Sequence, residues 1–193
     1  MTDTTEVAAP VSLQTLRQQP FELLRELERR SRVALSGGAA ADADTREWVG
    51  IGLRLGDERF LVARDEVREV MMMPAALTRV PGTRDWVAGL ANLRGQLLPV
   101  FDLRSFLGAG SSRGSRNARV LVASGTESPV GVVVDEVFGF RRFLQAEFTS
   151  EAPATEMRCE RFLDGACMRG DEVWPVLSLR SLIAADDFQQ AAA

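Results

Sequence analysis

The chain has 193 residues, of which 46% are hydrophobic and 26% charged, enough apolar material for one domain or two small ones. Its formal net charge is −4 and its pI is about 5.1. This acidic balance disfavours nucleic acid and anionic membrane surfaces as partners. The chain contains no histidine. That excludes Ser-His and Cys-His nucleophile pairs and metal sites built on imidazole, while carboxylate chemistry stays open.

The N-terminus has neither the basic start nor the apolar stretch of a secretion signal, and no uncharged apolar run reaches the roughly 18 residues that a membrane span needs. We therefore expect a cytoplasmic protein without direct membrane insertion. Cys159 and Cys167 lie eight positions apart, a spacing that matches no zinc or redox motif. We expect reduced, packed thiols and no metal. No Gly-rich phosphate loop is present, so no cofactor is expected.

The first predicted element is a helix over residues 20–35. Pro20 suits its first turn, Leu24 and Leu27 lie near one face, and Glu26 precedes Arg30 at i,i+4 spacing. Residues 36–45 are rich in Ser, Gly, Ala and Asp, which is typical of a linker. Residues 1–45 are thus expected to form an N-terminal helix and a flexible linker.

Two β-hairpins are predicted in the rest of the chain. From Trp48 onwards apolar residues alternate with small or polar ones, and residues 56–58 form a turn. The second hairpin follows about 70 residues later, where residues 119–123 and 130–134 flank a turn. Both hairpins lead into the tripeptide Asp-Glu-Val, which begins at Asp65 and again at Asp135.

The two halves also match further along. Residues 168–170 (Met-Arg-Gly) correspond to residues 93–95 (Leu-Arg-Gly), and residues 175–183 correspond to residues 99–107. The offset is 70 at the tripeptides and 76 at the last match, so six residues would be inserted in the second copy. This shared order indicates an internal duplication. A unit of about 60 residues with short strands has the size of an SH3-like barrel, whose closure hides the strand edges.

One run closely resembles the signature of the CheW-type chemotaxis coupling proteins, namely WVAGLANLRGQLLPVFDLR at residues 86–104. Residues 60–70 and 131–137 support the resemblance, in the order and at about the spacing of that family. It covers roughly residues 48–183. The N-terminal extension and the motif forms near Gly50 and Leu97 look most like the PilI-type couplers of type IV pilus twitching motility. Ser178 departs from the family, because many members carry Asp at that position.

The resemblance implies a mainly β fold, with a CheW-like pair of five-stranded SH3-like β-barrels, short helices and the N-terminal helix. The two barrel subdomains would be intertwined over residues 46–185, and residues 186–193 would form a C-terminal tail. The implied function is that of a non-enzymatic adaptor. It would join a CheA-type histidine kinase, through the kinase's CheW-like regulatory domain, to the cytoplasmic tip of a methyl-accepting chemoreceptor. It would therefore lie at membrane-bound receptor arrays.

Two residues are candidates for receptor contact. Arg94 matches the arginine of the family's Asn-Leu-Arg-Gly motif, to which receptor coupling is assigned, and Glu69 matches the glutamate of its Val-x-Glu-Ile/Val element. A turn could hold the planar guanidinium of Arg94 toward receptor carboxylates or carbonyls. Both residues have a simpler interpretation as solvated surface charges. The Arg-Gly pair recurs at Arg169, but Asn92 has no counterpart there, so we expect the two barrels to divide the labour.

Other motif residues are expected to serve structure. Gly89 and Gly95 provide backbone freedom or close approach. The remaining structural motif residues are Asn92, Pro99 and Asp102. The three methionines at 71–73 suit core filling better than a deformable binding patch.

Two alternatives stay open. The recurring acidic residues at 65–66 and 135–136 could be the catalytic groups of a carboxylate-dependent enzyme or the ligands of a metal site, although turn or cap roles fit them better. The chain could also be a coupler of flagellar chemotaxis or of another surface-sensing pathway.

Overall fold

Two antiparallel-rich sheets form the domain in the computed structural model, which describes residues 46–126 and 128–191. The predicted helix at 20–35 and the linker at 36–45 lie outside the described residues. The strands are β1 (Glu47–Leu55), β2 (Glu58–Ala63), β3 (Val67–Met72), β4 (Val87–Leu93), β5 (Gln96–Asp102), β6 (Arg119–Ala123), β7 (Gly131–Val134), β8 (Glu136–Leu144), β9 (Phe148–Thr149), β10 (Leu163–Arg169) and β11 (Glu172–Leu177).

Helices are short and lie between or after the strands. They are α1 (Leu103–Phe106), α2 (Leu179–Ala184) and α3 (Asp186–Gln189), with single 3₁₀ turns at Arg64–Glu66, Gln145–Glu147 and Glu160–Phe162. In the described part of the chain, no helix has the length and apolar character needed to cross a bilayer.

The two sheets repeat one strand order. The six-stranded sheet, which we call barrel A, runs β8-β1-β2-β11-β10-β9, and the five-stranded sheet, barrel B, runs β3-β6-β7-β5-β4. Both predicted hairpins are confirmed, since β1 pairs with β2 and β6 pairs with β7 in antiparallel fashion. The two strand orders coincide when the β1–β2 hairpin is superposed on the β6–β7 hairpin. Barrel A then has one additional strand, the two-residue β9. The mainly β fold with two barrels is therefore confirmed.

Neither sequence repeat forms a barrel by itself. Barrel A takes its hairpin from the first repeat and β8, β10 and β11 from the second, whereas barrel B takes β6 and β7 from the second repeat and its other strands from the first. The exchange occurs because the chain crosses to the other sheet after each hairpin, at the tripeptides beginning at Asp65 and Asp135. Barrel B is consequently one continuous segment, residues 67–134, inserted into barrel A.

Three clusters of buried side chains make up the core. The central one lies between the sheets and includes Leu53 and Leu121, which are fully buried. Barrel B encloses a second cluster around Leu98, and barrel A a third around Leu61. Both cysteines are buried free thiols, as expected, and burial raises the pKa of Cys167 to about 11.

The C-terminal segment belongs to the central core. Residues 186–193 were expected to be a tail, yet Phe188 in α3 is 3% exposed and stacks on Trp86 with ring centroids 5.4 Å apart. Phe101 and Phe106 also contact the Phe188 ring. Phe188 therefore anchors this segment to the core, because its ring completes an aromatic cluster, while residues 186, 187, 189 and 190 are exposed.

Asp102, the last residue of β5, and Ser178, which follows β11, occupy equivalent positions. Asp102 accepts a hydrogen bond from Ser105 N–H and caps α1, while Ser178 accepts one from Ser181 N–H and caps α2. Either side chain satisfies a backbone N–H that a helix start leaves unpaired. The serine at 178 thus keeps the capping role despite its departure from the family's Asp.

Replacing Ser178 by alanine removes this cap and the hydroxyl that donates to Glu66 Oε1 at 3.1 Å. We expect the free energy of unfolding to fall by about 1 kcal/mol in urea denaturation at pH 7. Ser181→Ala, an exposed position of the same helix, is the matched control and should change little. Equal stability of the wild type and Ser178→Ala would contradict the capping role.

Candidate functional site

Arg94 and Gly95 form the two-residue turn between β4 and β5. Both have positive φ angles, 52° and 85°, as in the type I′ turns that connect hairpins tightly. Asn92 fixes the turn, because its Oδ1 accepts a hydrogen bond from Gly95 N–H at 2.8 Å. Glycine adopts this conformation freely, but an arginine is strained by roughly 1 kcal/mol. Since the Arg94 side chain is 73% exposed, the strain is unrelated to core packing and marks a candidate functional position.

Glu69 lies directly beside Arg94. A guanidinium N–H of Arg94 donates to Glu69 Oε2 at 2.7 Å. Glu69 lies on β3 and Arg94 follows β4, the first and last strands of the five-stranded sheet, so the ion pair links the two edges that meet when barrel B closes. The Oε1 atom of Glu69 is buried and accepts no hydrogen bond from any described residue. The structure therefore brings both sequence-derived candidates together at one end of barrel B.

Gly89 sets the path of β4 toward this turn. Its φ is +134°, and a β-carbon there would lie 2.6 Å from the carbonyl oxygen of Thr78. Thr78 and Leu90 exchange backbone hydrogen bonds of 2.9 and 2.8 Å, which close the outer edge of β4. The register of β4 on β5 shifts between Val87 and Gly89, as at a β-bulge. Gly89 is thus required by close backbone approach.

Asp102 organises the segment beyond β5. The carboxylate is fully buried, and besides Ser105 N–H it accepts from Ser112 N–H, the Ser111 hydroxyl and Arg113 Nε. Such charge-assisted bonds compensate the burial of a carboxylate. Pro99 pairs with Leu90 in the ladder of β4 and β5. Both residues serve the framework that carries the Arg94 turn.

Exposed apolar side chains occur on β3, the strand that carries Glu69, and on β8. On β3, Val70 is 41% and Met72 is 74% exposed, while Met71 and Met73 pack against the core of barrel B. Met71 and Met73 thus fill the core, as expected, whereas Met72 is exposed. On β8, Phe140 is 62% exposed.

Arg64 connects the two strands. Its guanidinium lies 5.9 Å from the centroid of the Phe140 ring and donates to Val67 O, at the start of β3, at 3.1 Å. Apolar surface of this kind is suited to a protein partner. Phe140 and Arg64 are not predictable from the sequence, because neither belongs to a motif and the exposure of a single side chain has no periodic signal.

The comparison with known proteins identifies the fold and its family. Residues 50–187 match the family model described as the CheW-like domain. The chain belongs to the CheW-like domain family.

Individual relatives agree with this membership. "Protein PilI" of Pseudomonas aeruginosa is 37% identical over 91% of this chain and 97% of its own length. "Chemotaxis protein CheW" of Helicobacter pylori is 25% identical over 84% of this chain and 97% of its own. The crystal structure of the scaffolding protein TtCheW from Thermoanaerobacter tengcongensis matches with a TM-score of 0.64 at 23% identity, covering 74% of this chain and 96% of that one. The resemblances to CheW-type and PilI-type proteins are thus confirmed.

In this CheW-like domain, the second copy of the Arg-Gly pair is not the structural equivalent of the first. Leu93 pairs with Gln96 across the first turn, and Arg169 pairs with Glu172 across the second. Arg169 therefore corresponds to Leu93, and the sequence match of 168–170 with 93–95 is wrong by one residue. The offset of 76 therefore holds throughout the β4–β5 and β10–β11 hairpins. Gly89 and Gly165, which are 76 positions apart, agree with it because both have positive φ angles.

Arg169 is held by the CheW-like domain itself. It makes a bidentate pair with Glu147, with both N···O distances 2.8 Å, and donates to Arg142 O at 2.6 Å. Its guanidinium also lies 4.5 Å from the centroid of the Phe143 ring. Arg94, by contrast, makes one such contact among the described residues. The Arg94 side chain, 73% exposed against 54% for Arg169, is thus held by fewer contacts and is the more accessible of the two.

The Glu147–Arg169 pair gives the domain an acid-sensitive contact. The hydrogen bond from Arg169 and then the Leu144 N–H lower the pKa of Glu147 from 4.5 to about 2. A lowered folded-state pKa stabilises the fold above pH 4.5, and this contribution is lost as the pH falls toward 2. We expect Glu147→Gln to lower the urea midpoint at pH 7, with the difference from wild type vanishing near pH 2. A difference independent of pH would contradict this.

The two acidic tripeptides have different roles. Glu66 is 7% exposed and accepts from Leu179 N–H at 2.7 Å, whereas Asp135 is 3% exposed and accepts from Gly56 N–H at 2.6 Å. Arg104 donates to Asp135 as well. Asp65 is exposed. Within the described ranges, no three Cys, Asp or Glu side chains are grouped as metal ligands. The hydrogen bonds that Glu66 and Asp135 accept from backbone N–H groups and from Arg104 thus explain why these two acidic side chains are buried.

Proposed function

We propose that this CheW-like domain is a non-enzymatic adaptor that couples a methyl-accepting chemoreceptor to a CheA-type histidine kinase. The observation that carries the proposal is the exposed, strained Arg94 beside Glu69 at one end of barrel B. A guanidinium held by one exposed ion pair gives up at most about 1 kcal/mol when it changes partner. It is therefore free to bind receptor carboxylates or carbonyls, with Glu69 within reach of a receptor cation or amide.

The exposed apolar side chains of β3 and β8 support a helical partner that also reaches this polar pair. Val70 and Met72 lie on β3, as Glu69 does. Phe140 is connected to the start of β3 by Arg64, whose guanidinium contacts the Phe140 ring and donates to Val67 O. Helical segments bind such surfaces through apolar anchors, with charged contacts at the rim. We assign this region to the cytoplasmic tip of the receptor. The kinase would bind elsewhere, through its own CheW-like regulatory domain.

The pathway we propose is the control of type IV pilus twitching motility. Its support is the similarity to "Protein PilI" along nearly the whole length of both chains. The protein would then act in the cytoplasm, at membrane-bound arrays of receptors.

Gene deletion in the host organism tests the pathway. We expect the deletion strain to lose twitching on agar and to keep flagellar swimming, and the wild-type gene in trans to restore twitching. Loss of swimming with intact twitching would sink the pilus assignment and favour a flagellar coupler.

A further inference from the structure

Charge is divided unevenly between the two barrels. All 23 basic residues of the chain are arginines. Barrel B, residues 67–134, holds eight of them against four acidic residues, whereas residues 46–66 and 135–191 hold ten against sixteen. An acidic protein therefore carries one basic barrel. Because guanidinium groups bind carboxylates in a planar, bidentate fashion, the basic barrel favours acidic partners.

Part of this charge gathers around a cleft of about 430 Å³. The cleft lies between the segment that leads into β4 and the segment that follows α1. Three arginines, Arg79, Arg84 and Arg113, line it together with one acid, Asp85. Val80 and Val87 contribute apolar wall. We call this cleft the arginine pocket. It is separate from the Glu69–Arg94 pair, neither member of which lines it.

The backbone around the arginine pocket is fixed at several points. The Thr83 hydroxyl donates to Val80 O at 2.8 Å, and Arg84 N–H donates to Ala191 O at 3.0 Å. Val87 N–H donates to Arg84 O at 2.9 Å. A segment held in this way keeps its arginine side chains near one place, which reduces the ordering entropy that a ligand must overcome.

Hydrogen bonds to two acceptors fix the orientation of the Arg113 guanidinium. Its Nε donates to the buried carboxylate of Asp102 at 3.2 Å, and another N–H donates to Asp85 O at 2.9 Å. Arg79 and Arg84 are exposed, and no described residue accepts a hydrogen bond from either guanidinium. The pocket thus combines one oriented guanidinium with two that lack an acceptor in the described part of the chain.

We propose that the arginine pocket binds a carboxylate-rich peptide segment of a partner protein, independently of the receptor contact at Arg94. Two or three Asp or Glu side chains would pair with Arg79, Arg84 and Arg113. An apolar side chain between them would lie against Val80 and Val87. This mixed lining distinguishes the pocket from a site for a free anion, for which apolar wall has no use.

Fluorescence anisotropy with the full chain and a labelled nine-residue peptide of three Glu-Asp-Leu repeats tests this. A peptide of Gln-Asn-Leu repeats controls for charge. We expect the acidic peptide to bind and the neutral one not to, with binding weakened by 0.5 M salt. The double variant Arg79→Gln/Arg84→Gln should weaken binding by about tenfold, the loss expected for two exposed ion pairs.

Arg116→Gln is the matched control, since Arg116 is exposed in the same barrel but does not line the pocket. It should bind as the wild type does, and equal losses in both variants would show a general charge effect and overturn the proposal. Displacement of the peptide by 10 mM inorganic phosphate, or arginine-dependent binding to phosphatidylserine vesicles in place of the peptide, would overturn it as well. Unchanged melting temperatures establish that each variant is folded.

Discussion

Reversing the charge of Arg94 with Arg94→Glu is expected to weaken binding of the receptor tip by about 50-fold or more. The variant loses charge-assisted hydrogen bonds to the receptor and places a second carboxylate beside Glu69, and changes of this kind at a binding site cost about 2–5 kcal/mol. Isothermal titration with a receptor fragment measures the loss. Binding of the kinase regulatory domain should stay within about twofold of wild type, since Arg94 does not line that surface in our proposal.

A glycine at the same position separates binding from stability. Arg94→Gly relieves the strained φ of 52° but also removes the ion pair with Glu69, which offsets part of that gain. We therefore expect the free energy of unfolding to rise slightly, by up to about 0.5 kcal/mol, while receptor binding falls. The opposite changes in stability and binding would identify a functional residue held in strain. If Arg94→Gly bound the receptor as tightly as wild type, Arg94 would be a solvated turn residue and the assignment would fail.

The second large effect is expected for Gly165→Ala, at the bulge of β10. The φ of Gly165 is +143°, and a β-carbon there would lie 2.0 Å from Thr149 O and 3.0 Å from the Phe148 ring. The clash involves backbone on the neighbouring β9, which cannot move without breaking its pairing with β10. We expect the free energy of unfolding to fall by about 4 kcal/mol in urea denaturation.

Gly82→Ala is the matched control for this substitution. Gly82 also has a positive φ, +70°, but a β-carbon there would meet no heavy atom within 4 Å. Only the conformational cost of about 1 kcal/mol then applies. Similar losses at Gly165 and Gly82 would show that close approach of β9 and β10 has no energetic role.

Much of the fold follows from local sequence patterns. The β1–β2 hairpin is predicted by the alternation of apolar residues from Trp48 and by the turn at 56–58, because both are local signals in the sequence. The exchange of strands between the repeats is not local. It depends on which sheet accepts β3 and β8 after each crossing, and the pairing partners lie about 50–100 residues away.

The candidate site was partly predictable. Arg94 and Glu69 were each identified from motifs, but their contact was not, because they approach only when barrel B closes and brings its edge strands together. The one-residue error at Arg169 has a similar origin. The similarity of residues 168–170 to residues 93–95 favours an offset of 75, whereas the rest of the hairpin has an offset of 76. Only the cross-strand register shows which of the two alignments is correct. The arginine pocket joins two segments distant in sequence, so no motif marked it.

The most direct test of the adaptor function is a three-component reconstitution. Purified chain is mixed with the regulatory domain of a CheA-type kinase and a receptor-tip fragment from the same organism, and the complexes are sized by light scattering after gel filtration. We expect a ternary complex that requires this chain, so that the kinase and receptor fragments do not associate without it. The Arg94→Glu variant should bind the kinase fragment and lose the receptor fragment. Absence of any complex between the chain and the kinase domain would contradict the coupling function.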